Sequence, residues 1–223
     1  MAVITVAGLK GGIGKTTIAT GLATCFHVAG ARTALLDADP RKVAARWGTI
    51  GLGAGNDIPR VECAAAGSIG DAIQALAADT DVLIVDAPPW LGQEIKDSLL
   101  HAHIVLLPVM PGGYDIWVLQ ESLALLAEAR RARADLRAFV IPNGVDNTKS
   151  SELMVTSLPR LGVQVLGKGL SRRALHREVG LAGAGVTEYA PSSPAADEMR
   201  ALFKGVRAAL SGIGAKRRAR GRA

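Results

Sequence analysis

Five stretches of this 223-residue chain are apolar with no alternation of polar residues: "AVITVAG" (2–8), "RTALLDAD" (32–39), "DVLIVDAPP" (81–89), "AHIVLLPVMP" (102–111) and "LRAFVIPNG" (136–144), with weaker ones near 59–63 and 162–166. A strand with one face in water alternates. Runs that do not alternate must be covered on both faces, and that places them in a parallel sheet between two layers of helix. Segments with helical spacing fill the intervals, at 15–29, 41–48, 68–78, 92–101, 115–133, 150–160, 171–180 and 195–211. Strand followed by helix, repeated, predicts right-handed crossovers and hence an α/β fold: a doubly wound, mainly parallel sheet with helices on both faces. The sparse aromatics, 4% of the chain, suit helices packed on such a sheet. The length accommodates one domain, placed at 1–211. Gly212 and Gly214 are expected to end the last helix, leaving 212–223 as a basic, disordered tail.

The loop after the first strand reads "KGGIGKTT" and opens the first helix. Gly11, Gly12 and Gly14 let the amides around Ile13 turn inward without side-chain clashes, which makes a nest for phosphate at a helix N-terminus. Lys15 would reach the terminal phosphates, Thr16 would offer a hydroxyl to Mg²⁺, and Thr17 follows in the same turn. The strict G-x-x-x-x-G-K-[ST] pattern is not met, because its first position is Leu9. Lys10 is a second lysine five residues before Lys15, and two converging ammonium groups call for a strong anion. Carboxylates are available at strand ends: Asp37 and Asp39 close the second apolar run, and Asp86 closes "VLIVD". A helix N-cap is the alternative reading of each aspartate after the second run.

These segments together resemble the ParA/MinD family of deviant Walker A ATPases, and the small ParA/ParF-type plasmid partition proteins most closely. "KGGIGKTT" matches K-G-G-x-G-K-[ST], "DADPR" resembles D-x-D-P-Q, "VDAPP" resembles D-[TA]-P-P, and "PGGYDIW" resembles the proline-containing Y-D-[IL]-W segment. The resemblance implies a P-loop NTPase that hydrolyses ATP to ADP and phosphate with Mg²⁺. Lys10, Lys15 and Asp39 would be its catalytic residues. Lys10 would cross a nucleotide-sandwich homodimer to the partner's phosphates, and Asp39 would position the attacking water. Thr16, Asp37 and Asp86 would serve the metal. Asn143 in "VIPNG" and Pro191 in "VTEYAPSSPAADE" would border the adenine. Two departures stand out: Arg41 replaces the family's Gln, and Gly112-Gly113 replaces a Ser-Pro, which implies a more flexible loop. Tyr114 and Trp117 read equally as core aromatics or as part of the dimer interface.

The formal charge is +6, and Lys216, Arg217, Arg218, Arg220 and Arg222 account for five positive charges with no acid after Glu198. The excess therefore sits at the C-terminus and implies a polyanionic partner. Arg200, Lys204 and Arg207 share one face of the last helix, opposite Met199, Leu202, Phe203, Val206 and Leu210, and Arg172 and Arg173 open the segment before it. With no interleaved aromatics, these groups predict non-specific, salt-sensitive DNA binding. The family resemblance adds a ParB- or ParG-like centromere-binding adaptor and a cytoplasmic location, nucleoid-associated with ATP. Stable membrane insertion is not expected, since "AKRRARGRA" offers lipid no bulky apolar residue. A MinD-like membrane-associated switch and a relative positioning another cargo, such as a conjugation complex, remain the alternatives. Cys25 and Cys63 lie in no metal-binding spacing and are expected to be buried thiols.

Overall fold

The computed structural model describes residues 1–65, 69–89 and 92–220, with side chains described up to Gly212. The chain begins β1 (Ala2–Val6), α1 (Lys15–Val28), β2 (Thr33–Asp37), α2 (Val43–Gly53), β3 (Arg60–Cys63), α3 (Ile69–Ala75), β4 (Val82–Asp86) and α4 (Gln93–His101). It continues β5 (Ile104–Val109), α5 (Gly113–Ala132), β6 (Arg137–Val145), α6 (Lys149–Ser157), a 3₁₀ turn at Leu158–Leu161, β7 (Gln164–Val165) and β8 (Leu170–Ser171). Three helices close it: α7 (Leu175–Ala182), α8 (Val186–Tyr189) and α9 (Pro194–Arg220).

The sheet order is β3-β2-β4-β1-β5-β6-β7, with β8 added to β6, and each of these pairs is parallel. Every residue of β2, β4 and β5 is buried, as their unbroken apolar runs demand. On one face Ile4, Val6, Leu35, Ile84, Ile104, Leu106 and Ile141 pack with Ile18, Leu22 and Phe26 of α1, Trp47 of α2 and Met199, Leu202 and Val206 of α9. On the other, Val105, Leu107, Val109, Ala138 and Val140 meet α4 and α5, while Val3, Leu36, Leu83 and Val85 meet Ile69 and Ile73 of α3. Each fully buried Leu, Ile or Val contributes on the order of 1.5–3 kcal/mol of transfer free energy. The doubly wound α/β fold expected from the sequence is the one observed.

Three local readings change. The last helix runs through Gly212 and Gly214 to Arg220 rather than ending at them. Cys25 is buried, but Cys63 is exposed, because β3 is the edge strand and only half of its residues are shielded. The two-residue β8 and the four-residue α8 went unread, since a two-residue strand and a single turn of helix are too short to repeat a pattern.

The register brings the chemistry together. Asp37 stands opposite Asp86 across β2 and β4, and Asp86 stands opposite Val6 at the end of β1. All three strands point their carboxyl ends at the loop that follows β1, where the order of connections reverses.

Candidate active site

The loop 7–14 is anchored by backbone bonds from Ala7 N to Leu106 O at 2.9 Å and from Ala87 N to Val6 O at 3.1 Å. Gly14 is the N-cap of α1 with φ of 88°, a conformation that favours glycine, and a Cβ there would collide with the Asn143 amide. Asn143 donates from Nδ2 to Ile13 O at 2.7 Å. α1 has no side-chain cap and no acid in its first turn, so its leading amides are left for an external anion.

The two lysines have different partners. Lys15 is buried, donates from Nζ to Lys10 O at 2.9 Å, and has its pKa lowered by that burial, against the pull of Asp86 and Asp39. Lys10 instead reaches Asp115 Oδ1 at 2.8 Å, in the first turn of α5, where the carboxylate side chain is 10% exposed. Asp115 lies within the quoted "PGGYDIW" segment, yet sequence reasoning assigned it no role. An acid at the start of a helix following a strand that flanks β1 was the available signal.

Asp86 is the most perturbed carboxyl of the site: burial pushes it up to about 7, although Thr16 donates to its Oδ2 at 2.7 Å. Its Oδ1 is buried without a hydrogen-bond partner. An orphaned carboxylate oxygen beside a threonine hydroxyl, with Asp37 opposite it on the next strand, is a hard-oxygen donor set of the kind that suits Mg²⁺. Asp37 is fully buried and raised by desolvation, while its two oxygens accept Asp39 N at 3.0 Å and Ala45 N at 2.9 Å. It therefore also satisfies an amide in the first turn of α2, the capping role that the sequence left open. Asp39 feels burial most strongly, which raises it, but the bonds from Arg41 prevail and lower it overall. Arg41 lies across both carboxylate oxygens, with Nη2 to Oδ2 at 2.7 Å and Nε 3.2 Å from each oxygen. The next residue, Lys42, holds φ of 52° as the N-cap of α2.

A cavity of about 290 Å³ begins at Thr16 and Thr17 and is walled by Trp47, His176, Val179 and Met199. Asn143 and Pro191 do not line it. Asn143 is bound to the loop, and the Pro191 carbonyl accepts Arg200 Nη2 at 2.8 Å. Tyr114 and Trp117 form an edge-to-face pair 5.4 Å apart and are 75% and 62% exposed, so they are surface rather than core aromatics.

Among the basic candidates, Arg173 is paired with Glu198 at 2.6 Å and Arg200 with Asp197 at 3.0 Å. Arg172, Lys204 and Arg207 are exposed and make no ion pair among the described residues, although Arg207 lies 5.6 Å from the centre of the Phe203 ring. Met199, Leu202 and Val206 are buried on the opposite face, as the spacing required. Lys216, Arg217 and Arg218 lie outside the described side chains.

Residues 4–183 match the family model of the CobQ/CobB/MinD/ParA nucleotide binding domain. The chain belongs to that family. It is a ParA/MinD-type positioning ATPase. The maintenance of carboxysome distribution protein A of Halothiobacillus neapolitanus is 31% identical over 209 residues, covering 91% of this chain and 95% of the relative. The chromosome-partitioning ATPase Soj of Thermus thermophilus is 26% identical over 236 residues, covering 92% and 95%. In fold, the Pyrococcus horikoshii septum site-determining protein MinD complexed with Mg-ADP superposes with a TM-score of 0.76 at 18% identity, covering 95% of this chain and 98% of that one. No helix among the described residues is long and apolar enough to cross a membrane.

Proposed function

We propose that this chain is a DNA-segregation ATPase whose ATP-bound form is a homodimer sandwiching two nucleotides and binding DNA without sequence preference, with slow hydrolysis stimulated by a centromere-binding adaptor. The observation that carries this reading is the divergence of the two lysines. Lys15 faces the phosphate loop and Lys10 turns to Asp115, so Lys10 is held apart from its own protomer's phosphate site and is available to a second one.

Within one protomer, the amides of Gly11 to Thr17 and the Lys15 ammonium bind the phosphates. Thr16, Asp86 and Asp37 would hold Mg²⁺, which when bound neutralises charge on the phosphate oxygens. Asp39 orients the attacking water, and Lys10 exchanges Asp115 for the partner's nucleotide, stabilising charge that develops on its phosphates. The nucleoside extends from Thr17, with Asn143 and Pro191 proposed to border the base. Lys204, Arg207 and Arg172, together with Arg173, Arg200 and the C-terminal basic residues, would track DNA phosphates.

Light scattering tests the central step: parent protein should double its mass in ATP under conditions that block turnover, remain monomeric in ADP, and stay monomeric in ATP when Lys10→Ala is introduced. A mass that ignores nucleotide would remove the sandwich. Anisotropy of labelled DNA of unrelated sequences should then show equal affinities that fall steeply with salt. A second reading, another cargo, is favoured by the relative named for carboxysome distribution, which aligns over nearly its whole length. Co-purification of a cargo-associated adaptor in place of a centromere-binding one would select it.

A further inference from the structure

We propose that Arg41 is a positioning residue that keeps Asp39 from engaging water until a triphosphate occupies the loop. The inference rests on the ATPase reading and concerns the regulation of the same site. Asp39 receives four bonds from Arg41: its Oδ1 accepts the backbone amide at 3.0 Å and Nε at 3.2 Å, and its Oδ2 accepts Nε at 3.2 Å and Nη2 at 2.7 Å. A carboxylate clasped on both oxygens has little acceptor capacity left to orient water. A glutamine at this position carries one neutral amide and cannot clamp both oxygens with charge.

The clasp is built to open. The Asp39 side chain is 7% exposed while that of Arg41 is 58% exposed, so the acid is fixed and the arm is free to swing. The charge of Arg41 is already felt at Lys15, whose proton affinity it reduces, and Asp86 acts on Arg41 in turn, so its field extends over the phosphate site. Lys42, the following residue, sits in the left-handed region, and among the described residues it is the one non-glycine that does. Strain of this kind marks a segment with a second conformation within reach. The terminal group of a triphosphate carries more charge than one carboxylate and accepts a guanidinium fork equally well. It would therefore compete with Asp39 for Arg41 and free the acid for only part of the time, whereas a diphosphate, one group shorter, leaves the clasp shut.

The test is single-turnover hydrolysis at saturating Mg-ATP, with separate titrations of ATP and ADP, on the parent, Arg41→Gln and Arg41→Lys. Arg41→Gln is expected to hydrolyse about three- to fivefold faster, the range that a half-exposed ion pair allows. Its ADP affinity should hold, and its preference for ATP over ADP should shrink by a similar factor. Arg41→Lys keeps the charge without the fork, so it should retain the ATP preference while hydrolysing at an intermediate rate. An Arg41→Gln rate equal to or below that of the parent, with ADP binding intact, overturns the clasp and leaves the ATPase reading standing. Should Arg41→Gln lose ADP binding through misfolding, a parental rate in Arg41→Lys overturns it instead. A parent protein that binds neither nucleotide overturns the ATPase reading and the clasp together.

Discussion

Asp86 illustrates how far single residues can be read. Its place at the end of an apolar strand was visible in "VLIVD", and so was its relation to a phosphate loop. Its unpartnered oxygen was not, because that depends on what β1, β2 and α1 bring around it. Burying a carboxylate with one orphan acceptor is costly, and nucleotide-free protein bears that cost at any pH where the group is ionised. Asp86→Asn should therefore raise the melting temperature of the nucleotide-free protein at pH 8, by about 2–4 °C for each kcal/mol relieved. The same change should weaken Mg²⁺-dependent nucleotide binding about tenfold or more, since an amide is a poorer ligand for a hard cation. Calorimetry with and without Mg-ADP checks both halves, and an unchanged or lower melting temperature would mean the buried charge is already compensated. Lys10 and Arg41 were also singled out in the sequence, but the ion pairs they make with Asp115 and Asp39 were not. An ion pair spanning 105 positions, as between Lys10 and Asp115, leaves no local periodicity to detect.

Among the elements, the long ones were legible and the short ones were not. β1, β2, β4, β5 and β6 each carry enough consecutive apolar residues to declare themselves, whereas α8 lies inside a stretch read as a loop. The junction of α7 with α2 was likewise invisible, because it depends on two glycines 132 residues apart. Gly183 ends α7 with φ of 61°, and a Cβ there would strike Gly51 N and lie 2.8 Å from Trp47 O. Trp47 Nε1 and Asn56 Nδ2 fasten the same turn, donating to Ala184 O at 3.1 Å and Gly183 O at 3.0 Å. Gly183→Ala should thus lower stability by about 2–4 kcal/mol in chemical denaturation, combining backbone strain with overpacking. A second element-scale link joins β8 to α9: Glu198 accepts Ser171 N at 3.0 Å and Arg173 Nη2 at 2.6 Å. Burial alone would raise this glutamate, but its bonds to Arg173 and Ser171 outweigh that and hold it below the usual range. The link accordingly stabilises the fold above the unfolded glutamate value of about 4.3 and is lost as pH falls through the lower folded value. Melting curves from pH 6 to pH 3 should show a shallower acid decline in Glu198→Gln than in the parent; parallel declines would show that Glu198 does not couple to folding.

For the whole molecule, one exposed surface remains to be explained by a partner. Tyr114 and Trp117 stand exposed on the first turns of α5, beside the aspartate that holds Lys10. Exposed aromatic pairs of this kind often carry a large share of the energy of an interface. Replacing both with alanine should leave monomer stability within about 0.5 kcal/mol, because neither side chain is buried. It should weaken ATP-dependent self-association at least tenfold, measured by sedimentation in ATP. Loss of monomer stability instead would assign the pair to the fold. The order of the sheet also bears on how the protein is made. β1 precedes every other strand of the sheet, yet its neighbours are β4 and β5, so its pairing is incomplete until Val109 has been added. A nascent chain leaving the ribosome therefore exposes an unpaired strand edge and an unformed phosphate loop until β5 has been made. The centre of the sheet thus waits on long-range pairing, and chaperones that shield hydrophobic nascent segments would meet this chain before β5 arrives.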